Sequence, residues 1–315
     1  MQDNYGRNVE YLRLSVTDSC DYRCIYCMDG EVVNNHCKHE ILSIDELVNI
    51  GRAAVECGIK KIRITGGEPL VRKDLLDICK ELKSIKGLNE LAITTNGARL
   101  SQMAQDLKAV GIDRLNISLD TLNRDKFSTI TRTGNLSDVL NGIEEANKAG
   151  FENTKINVVL MNGINDDEID DFVNLTKDNP ISVRFIELMP MGPSRQWYDT
   201  RFISTDVVKQ RIPELTAIGQ DGASSVYRLE NALGTVGLIS PISQCFCSEC
   251  NRLRVTADGR LLPCLHSALE YNVRGLSGEE LIEAFNTAIK NKPESHHIIE
   301  NHASNNSGYM NAIGG

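Results

Sequence analysis

The sequence predicts an α/β protein, an incomplete parallel (β/α)6 barrel of TIM-like type, followed by a cysteine-bearing C-terminal extension. Three observations carry this expectation. The first two thirds of the chain alternate strand-like and helix-like segments in about six βα units, and such alternation implies a parallel sheet. No glycine fingerprint of the dinucleotide-binding kind opens any helix, since TGGEP at 65–69 lacks that spacing. The length, 315 residues, suits such a barrel with an addition to it.

The elements follow in order. YLRLSV at 11–16 opens as a strand. A helix is expected over 43–58, where Ser43 and Glu46 stand at capping-box spacing, the apolar residues keep helical period and Gly58 stops the run. KKIRIT is the next strand, and a helix over 72–87 has Gly87 past its end. ELAITT, a helix over 101–111 and DRLNISLD come next. Helices near 123–130 and 136–149, the strand TKINVVLM, a helix near 166–178 and the strand ISVRFIELM complete the alternation. From residue 190 or so the pattern breaks. MPMGPSRQW and GQDGASS read as loops, a cysteine-rich segment spans 243–266, and a helix near 277–291 precedes the tail YMNAIGG. We therefore divide the chain into a barrel, 1–225, and a C-terminal domain, 226–315.

Composition excludes some classes. The formal net charge is −9, which argues against a protein built to grip nucleic acid. No stretch approaches 18 apolar residues, and the polar start MQDNYGRN has no apolar leader core, so neither a membrane span nor a secretory signal is expected. Ten cysteines, several of them clustered, point to metal or cluster binding in a reducing, cytoplasmic setting. Cys57 and Cys79 stand alone in helical patterns and read as small core residues.

A closed barrel fills its middle with aliphatic side chains. Period two gives these strands something else. Leu12, Leu14 and Val16 oppose Arg13, Ser15 and Thr17, and Ile62 and Ile64 oppose Arg63 and Thr65. Leu91 and Ile93 oppose Ala92 and Thr94; Leu115, Ile117 and Leu119 oppose Asn116, Ser118 and Asp120; Ile156 and Val158 oppose Lys155 and Asn157. The polar face, turned inward, encloses a wet hollow holding Arg13, Arg63 and Lys155. Buried cations need partners, and arginine forks suit phosphate, so the expected ligand is a polyanion.

Two cysteine triads stand out. Cys20, Cys24 and Cys27 have the spacing C-x3-C-x2-C just after the first strand. Three thiolates holding a cubane leave one iron open for a ligand; the alternative is a zinc site completed by His36 or His39. Cys247, Cys250 and Cys264 form the second group, with Cys245 offering another register and His266 the fourth ligand of a zinc alternative. Arg252 and Arg254 of NRLR share a strand face beside it.

CDYRCIYC, with Tyr26 before its third cysteine, resembles the signature of radical S-adenosylmethionine (SAM) enzymes, and TGGEP resembles their glycine-rich stretch. With the second triad, RFIELM, NRLR and the terminal Gly-Gly, the whole chain resembles the GTP 3′,8-cyclase family of molybdenum cofactor biosynthesis. The resemblance implies a 4Fe–4S cluster on Cys20, Cys24 and Cys27 and a second on Cys247, Cys250 and Cys264. It implies SAM contacts from Tyr26, Gly67, Ser118 and Met189, and GTP contacts from Arg13, Arg63, Thr94, Lys155, Arg252 and Arg254. It gives Arg184, Gly314 and Gly315 active-site roles. Cys37 and Cys245 fall outside the family's ligand set.

The implied reaction is a lyase-type radical cyclisation. A 5′-deoxyadenosyl radical takes the ribose 3′ hydrogen of GTP, and the sugar radical closes on guanine carbon 8 to give 3′,8-cH2GTP. Its partners are an external one-electron donor and the cyclic pyranopterin monophosphate synthase that takes the product; a homodimer stays open. A peptide-modifying radical SAM maturase and a zinc-stapled scaffold are the alternatives. Arg184 and Met189 differ in parity, so both reach the hollow only if the strand between them ends or bulges.

Overall fold

The computed structural model describes residues 1–29, 40–296, 298, 304–306 and 308–314. Cys37, His36, His39 and Gly315 lie outside the described residues. The first six strands are β1 (Tyr11–Ser15), β2 (Lys61–Thr65), β3 (Glu90–Thr95), β4 (Arg114–Ser118), β5 (Lys155–Leu160) and β6 (Ser182–Glu187). They pair in parallel and in chain order. Six more follow: β7 (Thr216–Asp221), β8 (Ser224–Arg228), β9 (Thr235–Ile239), β10 (Arg252–Val255), β11 (Arg260–Leu262) and β12 (Tyr271–Asn272). The chain's second part extends the sheet on both sides, β10 lying parallel to β1 and β9 parallel to β6. The sheet ends at β12 on one edge and β7 on the other, so the barrel is incomplete, as the sequence predicts.

The helices between these strands are the expected ones: α1 (Ile44–Glu56), α2 (Leu75–Lys83), α3 (Leu100–Ala109), α4 (Arg124–Thr131), α5 (Leu136–Lys148) and α6 (Ile169–Asp178). Short α7 (Tyr198–Arg201) and α8 (Asp206–Arg211) follow, then α9 (Gly278–Lys290), which packs on α1. The α1 capping box is formed: Ser43 Oγ accepts from Glu46 N at 3.2 Å, and the Glu46 carboxylate accepts from Ser43 N at 2.8 Å. Leu12, Leu14, Ile62, Ile64, Leu91, Ile93, Leu115, Ile117, Ile156 and Val158 are all buried beneath the helices, so the apolar strand face meets the helical layer. Cys57 and Cys79 are buried core residues.

GQDGASS is not a loop. It is the end of β7, a turn and the start of β8, in a hairpin that carries a bulge between Ala217 and Gly219. The reason it escapes notice is that β7 is exposed along its whole length and has no alternation to read. Residue 225, where the barrel is expected to end, lies inside β8.

Candidate active site

Strand register turns the polar faces into rows. Arg254 stands beside Arg13, and Arg13 beside Arg63, across β10, β1 and β2. Thr94, Asn116 and Lys155 make a second row across β3, β4 and β5, and Asn157 pairs with Arg184 on β6. Neighbouring strands lie about 4.8 Å apart, so each row packs like charges or polar groups shoulder to shoulder. Burial, then the neighbouring guanidinium of Arg254, holds Arg13 well below the usual arginine range. Burial and Arg252 bring Arg254 down to about 10. Both shifts express a demand for negative charge.

Polar atoms on this face are buried without a hydrogen bond: Arg63 Nε, Thr65 Oγ1, Thr94 Oγ1, Asn116 Oδ1, Asn157 Oδ1 and Arg184 Nε. Orphans of this kind are rare in folded proteins and costly. Their collection on one face marks a hollow made for a large polar ligand rather than for side-chain packing. Lys155 and Arg184 share one carboxylate at its edge, Asp221 Oδ2, at 2.5 Å from each. These two cations hold Asp221 down at about 2 against the effect of its burial.

The first triad lies past the C-terminal end of β1. Its loop is tied to α4 by Arg23 N to Thr131 O at 3.0 Å and Ile25 N to Ile130 O at 2.9 Å. Tyr26 Oη donates to Asp120 Oδ2 at 2.7 Å, which fixes the loop above β4. Gly67 N donates to Thr17 O at 2.7 Å, and a Cβ on Gly67 would stand 2.3 Å from Ser19 O, so no other residue fits against the loop's base. Ser118 is half-buried at the C-terminal end of β4, and Met189 follows β6, which ends at Glu187. That early end resolves the parity conflict between Arg184 and Met189.

The three thiols fit a cationic cluster. Burial pushes Cys20 and Cys27 up to about 12. Cys24 is raised well above its ordinary value by burial and then by Cys27. Thiols so placed ionise only against a strong local positive charge, which metal supplies.

The second triad sits at the other end of the hollow. Cys250 closes a turn opened by Cys247, and Asn251 O accepts from both Glu10 N and Tyr11 N at 3.2 Å, at the start of β1. Cys264 follows β11, which runs antiparallel to β10 and so returns to the same end. Cys250 lies below its ordinary range: burial alone would raise it, but Lys292 and Arg252 outweigh burial. His266 donates N–H toward Cys264 Sγ at 3.5 Å, while its Nδ1 meets Ser304 Oγ at 3.2 Å. Cys245, the residue of ambiguous register, is exposed, and its thiol lies within 4.8 Å of ligand atoms of both Cys247 and His296.

The tail enters the hollow. Arg13 Nε and Arg254 Nη1 each donate to Gly314 O at 3.1 Å. Gly314 has φ +77°, and a Cβ there would meet Thr65 Oγ1 at 3.0 Å, so the threading needs glycine. On the way, Asn311 Nδ2 donates to Asp18 O at 3.0 Å and its backbone N–H bonds Cys27.

Three residues of the site escape sequence reasoning. Asp221 lies on an exposed hairpin, and Lys292 hides in a polar run past α9 although it is only 2% exposed. Tyr11 shares the parity of Arg13, a signal present in the strand itself.

Comparisons with known proteins agree with this geometry. The radical SAM superfamily model matches residues 14–176, and the Molybdenum Cofactor Synthesis C model matches 181–298. A GTP 3′,8-cyclase of Peptoclostridium acidaminophilum is 51% identical over 302 residues, covering 94% of this chain and 93% of its own. One from Alkaliphilus oremlandii is 45% identical over 321 residues, covering all of both chains. Among solved structures, Streptococcus suis SuiB matches with TM-score 0.56 at 17% identity, over 93% of this chain and 68% of its own. Histidine-tagged anSMEcpe with bound AdoMet matches with TM-score 0.51 at 16% identity, over 87% and 77%. At those identities the likeness speaks for the shared fold alone. The chain belongs to the radical SAM superfamily and, within it, to the GTP 3′,8-cyclase family.

Proposed function

We propose that this chain performs the GTP 3′,8-cyclase reaction in the hollow bounded by its two cysteine triads. The observation that carries the reading is the Arg254–Arg13–Arg63 row, set on strands whose two ends lead to the two triads. β1 has five residues, so about 16 Å separates those ends, room for one nucleoside triphosphate.

Cys20, Cys24 and Cys27 would hold the cluster that binds SAM, and that group would supply the radical chemistry at the ribose. Cys247, Cys250 and Cys264 would hold the second cluster, which would supply a binding position for the substrate base. The chain's own residues do the rest. Tyr26, Gly67, Ser118 and Met189 line the SAM end, and Gly67 leaves its backbone within reach of a ligand. Arg13, Arg63, Lys155, Arg252 and Arg254 neutralise the triphosphate, while Thr94 offers a hydroxyl that is otherwise unpaired. Arg184 and the Gly314 carbonyl lie among these groups and orient the reacting sugar. Holding the 3′ carbon against carbon 8 is the main catalytic service, because proximity replaces an improbable encounter. Cleavage consumes one electron, so an external donor is required. Thiols that must stay reduced argue for a cytoplasmic setting.

The test is anaerobic turnover of cluster-loaded protein with SAM, GTP and a reductant, read by product mass. A cyclised nucleotide formed alongside 5′-deoxyadenosine is the expected result. Deoxyadenosine alone, with no GTP binding below the millimolar range, would favour a peptide maturase.

A further inference from the structure

Tyr11 occupies an unusual place among the residues of the hollow. It is the first residue of β1 and points inward with Arg13. It pairs with Lys61 on one side and Arg252 on the other. The residue is 9% exposed and its ring is met by three cations: Arg63 Cζ at 5.5 Å from the centroid, Lys61 Nζ at 5.6 Å and Arg252 Cζ at 5.8 Å. Cations at these distances are attracted to the negative face of an aromatic ring. Two of the three have other support: Lys61 pairs with Glu90 at 2.6 Å, and Arg252 also stands over Phe246 at 5.5 Å.

We propose that Tyr11 is a positioning residue for the substrate polyphosphate, a shared aromatic platform that holds Lys61, Arg63 and Arg252 together at the N-terminal mouth of the hollow. The proposal rests on the reading that the hollow takes GTP. Three like charges in one place repel each other and would splay without an intervening partner. A carboxylate would gather them too, but it would cancel the charge the phosphates need. A neutral ring gathers them and leaves their charge in place. Burial alone would raise the Tyr11 phenol; the cations Arg63, Arg13, Arg252 and Lys61 outweigh it and leave the phenol below its ordinary value.

The experiment measures GTP and GMP affinity of cluster-loaded protein, with steady-state KM and kcat, for Tyr11→Phe, Tyr11→Leu and Tyr11→Met. Phe keeps the ring; Met, close in volume to Leu but more adaptable, covers a packing failure of the Leu variant. We expect Leu and Met to weaken GTP binding and raise KM about tenfold, and Phe to stay within about twofold of the parent. The loss for GMP should be smaller, kcat should change little, and uncoupled SAM cleavage should be retained. Leu and Met variants that bind GTP like the parent overturn the platform, as does a Phe variant as weak as Leu. Failure of Leu and Met, but not Phe, to load clusters also overturns it, since Tyr11 is then a packing residue. If the parent itself binds no GTP, the reading of the hollow falls first and the platform with it.

Discussion

The two cysteine triads have the same number of ligands and opposite surroundings. Around the first, the charges that raise the thiols are those of acids and of the other thiols, while the Arg23 guanidinium donates to the backbone oxygens of Cys20 and Tyr22. Cys20 is raised by burial and then by Glu68, Cys27 and Asp21, and Cys24 by burial and then by Cys27 and Asp120. Glu68 itself is pushed up to about 7 by burial, although Asn96 N, Leu70 N and Thr95 Oγ1 all donate to it. Around the second, Lys292 and Arg252 bring Cys250 below its ordinary range, and Lys292 also opposes the rise of Cys264 that burial causes. Burial disfavours negative charge at both sites; at the second, Lys292 opposes that effect, and at Cys250 the cations outweigh it. A cluster among carboxylates is hard to reduce and, once reduced, strongly donating; a cluster beside cations is better suited to holding electron-rich ligands. The division suits a reaction that injects an electron at one end of the hollow and binds substrate at the other.

The most severe break of this comparison is loss of one triad. Cys24→Ala should abolish deoxyadenosine formation. Cys250→Ala should end cyclisation and leave some uncoupled SAM cleavage. Iron analysis and product chromatography check both, and equal loss of cleavage in the two variants would erase the division of labour.

Next comes the cation row. Arg254→Ala should raise the KM for GTP between about tenfold and a hundredfold, the range for losing a charge-assisted hydrogen bond in a buried site. Uncoupled cleavage serves as the control; its collapse would indicate a folding defect.

A milder effect is expected from pH. Burial, followed by the charge of Arg184, lowers Lys155 to about 8. A phosphate favours the charged amine, so Lys155 binds best when it is already protonated, below pH 8. GTP affinity should fall up to about tenfold per pH unit above that value, and Lys155→Arg should flatten the fall. A parent profile already flat to pH 10 would remove Lys155 from the ligand set.

The smallest change sharpens the electrostatic contrast directly. Lys292→Met removes the cation whose Nζ bonds Arg252 O and Pro263 O at 2.8 Å. The second cluster should then become harder to reduce while the first is unaffected, as read by potentiometric titration of their paramagnetic signals. A shift in both potentials, or in neither, contradicts the assignment of Lys292 to the second site alone.

Much of this was legible beforehand because strand geometry is local. Arg13, Arg63, Thr94, Asn116, Lys155 and Asn157 occupy the inner face that period two assigns them, and the α1 capping box forms where Ser43 and Glu46 foretell it. The hairpin of β7 and β8 was not legible, because an exposed edge strand carries no pattern of burial. Nor was the Asp221 bridge between Lys155 and Arg184, which depends on where that hairpin folds back.

By itself the sequence determined which side chains face inward along each strand and which thiols stand close enough to share a cluster, because the strand repeat and the short cysteine spacings act over a few residues. Only the tertiary structure decided that Arg254 lies beside Arg13, that Gly314 lies between their side chains, and that Tyr11 gathers three cations. Those neighbours come from strands and a tail far apart in the chain, and hydrogen-bond register, not local preference, brings them together.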